Sequence, residues 1–105
     1  MKINKAVVLL SADGEIVFTN KAFLNCLQGQ ANEVIGRKFV HYVYDEDLGL
    51  FDKHFRHALV VEHETFNIRL KCTDEQEIER LVNISLYRRN LGSDQLIGLI
   101  LRSTQ

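Results

Sequence analysis

The sequence predicts an α+β domain, an antiparallel sheet with its helices gathered on one face. Three observations carry that prediction. Two β-type runs near the N-terminus flank an Asp-Gly turn, three further strand-type runs close the chain, and capped segments of helical period lie between them. The element order is therefore ββαααβββ. At 105 residues and 46% hydrophobic composition, the chain is read as one domain, residues 1–105, with enough apolar content for a core.

Ala6 to Ser11 (AVVLLS) is a continuous apolar, partly β-branched run, as expected of a strand buried on both faces. Asp13-Gly14 follows, a dipeptide that tolerates positive φ and so marks a hairpin. Glu15 to Thr19 is the returning strand. Asn20 is placed to cap a helix beginning KAFLNCLQ, with Ala22, Phe23, Cys26 and Leu27 on one face. Gln30 to Ile35 reads as a further helical turn ended by Gly36. Lys38 to Tyr44 fits either a helical turn or an irregular segment. A longer helix is predicted from Asp45 to about Val61, with Leu48, Phe51, Phe55 and Leu59 as its apolar stripe. Its three opening acids, Asp45, Glu46 and Asp47, are explained by the helix dipole alone.

Phe66, Ile68, Leu70 and Cys72 alternate with polar residues along a half-buried strand. Thr73 to Gln76 is a polar turn. Ile78 to Tyr87 alternates again, with Val82, Ile84 and Leu86 on one face. Arg88 to Asp94 is read as a loop, and Leu96 to Leu101 (LIGLIL) as a central strand, apolar on both faces.

The combination of D-G-x-I-x-x-x-N-x-A-F (Asp13, Gly14, Ile16, Asn20, Ala22, Phe23), V-I-G-R (Val34 to Arg37) and D-E-D-L (Asp45 to Leu48) resembles the PAS domain family. The likeness runs from Ala6 to about Ser103. It implies a five-stranded antiparallel sheet of order 2-1-5-4-3 and a pocket between the sheet and the helices. It also implies a sensing and dimerising role, attached to a histidine kinase, a cyclic-dinucleotide enzyme or a transcription regulator. Arg102-Ser103-Thr104 stands where the family usually carries Asp-Ile-Thr.

Candidate chemistry is sparse. The resemblance implies that flavin photochemistry needs a cysteine after the G-R element, and GRKFVHYV has none; Cys26 lies earlier, on the buried face of the first helix. It implies a haem ligand near Phe51 or Asp52, one turn before His54 and His57, so these histidines are read as partly exposed surface residues. No cofactor is therefore expected, haem or flavin being the alternative. The four histidines form no zinc spacing, Cys26 and Cys72 no redox or metal pair, and no serine sits in a nucleophile context, so neither metal nor catalytic residues are predicted. A formal net charge of -1 and the short Arg88-Arg89 pair argue against nucleic acid. The longest apolar run is strand-sized and no signal peptide is legible, so no membrane association and a cytoplasmic location are expected.

What remains is an apolar interior and the sheet's back. The expected pocket lining is Phe18, Phe23, Val34, Phe39, Phe55, Leu59, Ile68, Val82, Ile84 and Ile100, a packed core without ligand being the alternative. Asn67, Asn83 or Tyr42 could orient a ligand. Val7, Leu9, Leu99 and Leu101 are expected on the outer face, where their apolar surface calls for a cover. A homodimer through that face is the expected partner state, alongside an output signalling domain. A ligand-free interaction scaffold is the other reading.

Overall fold

The computed structural model describes residues 5–27, 31–61, 63–71, 79–91 and 94–103. The elements are β1 (Ala6–Ser11), β2 (Ile16–Thr19), α1 (Lys21–Leu27), α2 (Ala31–Val34), two 3₁₀ turns (Phe39–Tyr42 and Asp45–Asp47), α3 (Leu48–Ala58), β3 (His63–Lys71), β4 (Glu79–Leu91) and β5 (Asp94–Ser103). The five strands form one antiparallel sheet of order β2-β1-β5-β4-β3. The expected turn at 73–76, Cys72 and Gly92 lie outside the described residues, as do the side chains of Cys26, Leu27 and Val82.

The first hairpin turns through Gly14, whose φ of +87° only glycine adopts cheaply. The Gly14 amide donates to the Ser11 carbonyl at 2.9 Å, and the Ser11 hydroxyl accepts from the amides of Asp13 and Glu15. Asn20 then acts twice. Its Oδ1 accepts from the Phe23 amide, capping α1, and from the Val7 amide of β1, while its Nδ2 donates to the Lys5 carbonyl at 2.8 Å. One side chain thus starts the helix and ties it to the central part of the sheet.

Gly36, at φ +93°, ends the segment after α2 and turns the chain against β2. There the Ile16 amide donates to the Arg37 carbonyl and the Gly36 amide to the Ile16 carbonyl, both at 2.8 Å, and Glu15 bridges Lys38. The outer edge of β2 is covered in this way. At the far edge, Val43 bridges Leu70 and the Tyr44 amide donates to the Arg69 carbonyl.

Three expectations need correction. The long helix is regular only from Leu48 to Ala58; Asp45–Asp47 forms a 3₁₀ turn, and the amides of Leu59, Val60 and Val61 bond back to Arg56 and His57. The opening acids do not serve the helix end alone. Asp47, without any side-chain cap bond, takes Arg69, and Asp45 takes Lys71 at 3.2 Å. Arg88 to Asn90 are not loop but strand, paired with Ile97, Leu96 and Gln95. Cross-strand pairing extends β4 and β5 beyond the point where hydrophobic alternation fades.

Candidate functional site: a sealed interior and an open sheet face

Side chains alternate across a strand, and directly paired residues share a face. The helix side of the sheet carries Ala6, Val8 and Leu10 of β1, Phe66, Ile68 and Leu70 of β3, Ile84 and Leu86 of β4, and Ile97, Leu99 and Leu101 of β5, all buried. Over them lies a ladder of rings from α1, the first 3₁₀ turn and α3. Phe23 of α1 meets Phe39 of the first 3₁₀ turn at 6.0 Å between centroids, Phe39 meets Phe51 of α3 at 5.2 Å, and Phe51 meets Phe55 and Phe66 at 5.7 and 6.2 Å. Tyr42 closes edge-on against Phe23.

Of the expected pocket residues, Phe23, Val34, Phe39, Phe55, Ile68 and Ile84 are buried in this interior, and Leu59 packs against it partly buried. Phe18 and Ile100 are not. Phe18 pairs with Leu9 on the outer face and is 49% exposed, while Ile100 pairs with Val7 on the same face. A register shift between Leu9 and Leu10, against Phe18 and Ile16, changes which β2 side chains point inward. Phe51, which meets Phe39, Phe55 and Phe66, and Phe66, which meets Phe51 and His54, also belong to this ring cluster, a position their apolar stripe and strand alternation alone did not single out.

The outer face is corrected in the same way. Val7 and Leu9 lie there, half-buried, as expected; Leu99 (0% exposed) and Leu101 (4%) belong to the interior. The Val7–Ile100 and Leu9–Gly98 pairings set this phase. The outer face is apolar across β2, β1 and β5, through Phe18, Val7, Leu9, Leu96 and Ile100. Gly98 leaves a shallow place in it: a methyl group there would meet Leu9 Cδ2 at 3.4 Å. Across β4 and β3 the face turns polar. Asn83 donates to Asn67 at 2.9 Å, Arg102 donates to the Ser85 hydroxyl at 3.2 Å, and His63 stacks on Tyr87 at 4.7 Å. Asn67 and Asn83 therefore bind each other on the open side rather than facing the interior, where Tyr42 does sit.

Two polar junctions hold α3 and its preceding turn to β3. Asp47 receives the Arg69 guanidinium and the Arg69 backbone amide; that side-chain hydrogen bond holds its carboxyl below the ordinary 3.8, against burial, which pushes it up. Farther along, His57 and His54 both place Nδ1 on Glu64 Oε1, at 2.7 and 3.0 Å. The His57 bond first, and the His54 bond second, hold the Glu64 carboxyl below its ordinary 4.5. His54 also stacks flat on Phe66 at 4.3 Å. The helix histidines are thus engaged by a strand carboxylate, a long-range contact that local spacing did not reveal.

Among the described residues no group of three His, Cys, Asp or Glu side chains is placed to hold a metal ion, and no buried side-chain polar atom lacks a hydrogen-bond partner. No described helix is long and apolar enough to cross a membrane. The interior is apolar and aromatic.

A sequence model described as the PAS fold matches residues 2–102. The chain is a PAS domain. PAS domains are in general sensory, non-catalytic modules. No curated protein matches the sequence. Among solved structures, the chain is similar to a PAS domain from a two-component sensor histidine kinase, at 15% identity and a TM-score of 0.80 over 95% of this chain and 85% of that one. It is similar to the PAS domain of an HTR-like protein from Haloarcula marismortui, at 22% identity and a TM-score of 0.75, over 94% and 85% of the two chains. A third likeness is to the PAS-B domain of Drosophila melanogaster Cycle with bound ethylene glycol, at 16% identity and a TM-score of 0.82 over 93% and 98%. Identities this low speak to the fold.

Proposed function

We propose that this PAS domain is a sensory and dimerising module, without catalytic activity of its own, that passes the state of its interior to an attached output domain. The output would be of the histidine-kinase, cyclic-dinucleotide or transcription-regulator kind, and the likeness to a sensor-kinase PAS domain supports the first. The observation that carries the reading is the two-sidedness of β1 and β5. Val8 and Leu99 pack under the helices, while Val7, Leu9 and Ile100 of the same strands form an apolar strip on the open side. A small apolar ligand among Phe23, Phe39, Phe51 and Ile68 would alter the packing of strands whose reverse side meets the partner. Such a ligand biases an existing equilibrium between packings.

Magnitudes make the partner interaction weak. Burying roughly 300 Å² of apolar strip contributes about 7 kcal/mol. Association costs of about 4 kcal/mol or more take most of it. The homodimer is therefore concentration-dependent, and a flanking segment or ligand can tip it. Light scattering and sedimentation over micromolar to millimolar protein test this. Dimers abolished by Leu9→Glu or Ile100→Glu, with the fold intact by circular dichroism, support the reading; a monomer at every concentration sinks it. The absorption spectrum of the purified protein decides the cofactor question separately, a Soret or flavin band being the result against this reading.

A further inference from the structure

A shallow groove of about 500 Å³ runs along the outside of the first 3₁₀ turn, lined by Arg37, Lys38, Val40, His41 and Leu48. The turn has two faces. Phe39 and Tyr42 point into the core, while Val40 and His41 are exposed. Arg37 Nη1 lies 3.3 Å from His41 Nε2. A guanidinium can only donate, so a hydrogen bond between the two runs from Arg37 to His41 Nε2. Among the described residues no carboxylate pairs with Arg37, Lys38 or His41, although Glu33 is four residues before Arg37 and Glu15 bridges Lys38 through the backbone. Arg56, Arg69 and Lys71 each hold an aspartate instead.

We propose that this groove binds a small organic carboxylate, its head on Arg37 and Lys38 and a short apolar tail on Val40 and Leu48. The planar fork of a guanidinium matches a carboxylate, with the lysine adding a second charge. Exposed Val40 and half-buried Leu48 favour an anion with a hydrocarbon part over a bare inorganic ion. Two adjacent cations are too few to track a polyanion such as nucleic acid. Occupancy has a route inward: ligand fixing Val40 and His41 also fixes Phe39, which contacts Phe23 and Phe51 from the other side of the same turn. The groove is distinct in position from the interior and from the open sheet face.

Amide chemical-shift titrations of the isotope-labelled protein test this with three probes: sodium octanoate, neutral octanamide and sodium acetate. Octanoate is expected to shift amides of residues 36–41 and 48 saturably, and to bind about tenfold or more tighter than either control. Arg37→Gln with Lys38→Gln should weaken octanoate about tenfold while leaving the rest of the spectrum in place, since both side chains are exposed. Added salt should weaken it too. Equal binding of octanamide and octanoate overturns the proposal. So do shifts centred on the core or the open face, no saturable shift up to about 5 mM octanoate, or full affinity in the double variant.

Discussion

Asp47→Ala probes the junction that sets α3 on the sheet. Asp47 Oδ2 accepts from the Arg69 backbone amide at 2.7 Å and from Nε at 3.0 Å, and Oδ1 accepts from Nη2 at 2.9 Å. Hydrogen bonds to charged groups contribute about 1.5–3 kcal/mol each when well shielded. Here the Arg69 side chain is 35% exposed and its guanidinium stays over the Tyr44 ring at 5.7 Å, so water and the ring replace part of the loss. The discounted expectation is a destabilisation of about 2 kcal/mol, or roughly 10 °C in Tm for a domain of this size. Asp47→Asn, which keeps an acceptor but not the charge, should lose about half as much. The pH dependence has a definite sign. Because the Arg69 bond holds the folded-state carboxyl below 3.8, its stabilisation is full above that value and is lost as pH falls through the lower folded value. Urea denaturation followed by circular dichroism, near pH 7 and again near pH 3, measures both. A deficit under about 0.5 kcal/mol at neutral pH, or one that grows on acidification, would show the junction to be incidental.

Asn20→Ala removes the α1 cap and the tie to β1 together, and should cost about 2 kcal/mol in the same denaturation assay; Asn20→Asp, keeping the acceptor that Phe23 and Val7 use, should retain more than half. Leu99→Ala, in the interior, should cost about 2–5 kcal/mol, whereas Leu9→Ala on the half-buried open side should cost distinctly less; similar losses would contradict the assigned faces. For Glu64→Gln the deficit in thermal melts should be present above pH 4.5, the ordinary carboxyl value, and fade as pH falls through the depressed folded value.

Much of this architecture is written locally. Alternation in β3 and the helical spacing of Phe51 and Phe55 report burial directly, and Asn20 and Gly36 carry their own backbone signals. Local patterns are degenerate elsewhere. LIGLIL is apolar at both parities, so nothing in it tells Leu99 from Ile100; only pairing with Val7 and Leu9 of β1 sets the phase. Phe18 faces outward while Ile16 faces inward because an irregularity in β2 shifts register without any glycine or proline to announce it. Asp45 and Asp47 fit a helix dipole locally, while their partners, Lys71 and Arg69, lie more than twenty residues on, beyond the reach of any local pattern. The union of Glu64 with His54 and His57, and the groove beside Val40, likewise exist only after α3 and the 3₁₀ turn are laid against the sheet.

The antiparallel neighbours Ala6 and Leu101 place the start of β1 and the finish of β5 side by side, in the middle of the sheet. Tension applied between those two points would part the ladder rung by rung, starting at one end, instead of shearing all its bonds at once. A chain threaded this way yields softly to a tug from its flanks, so small strains arriving there are felt first by the two strands that also line the greasy interior.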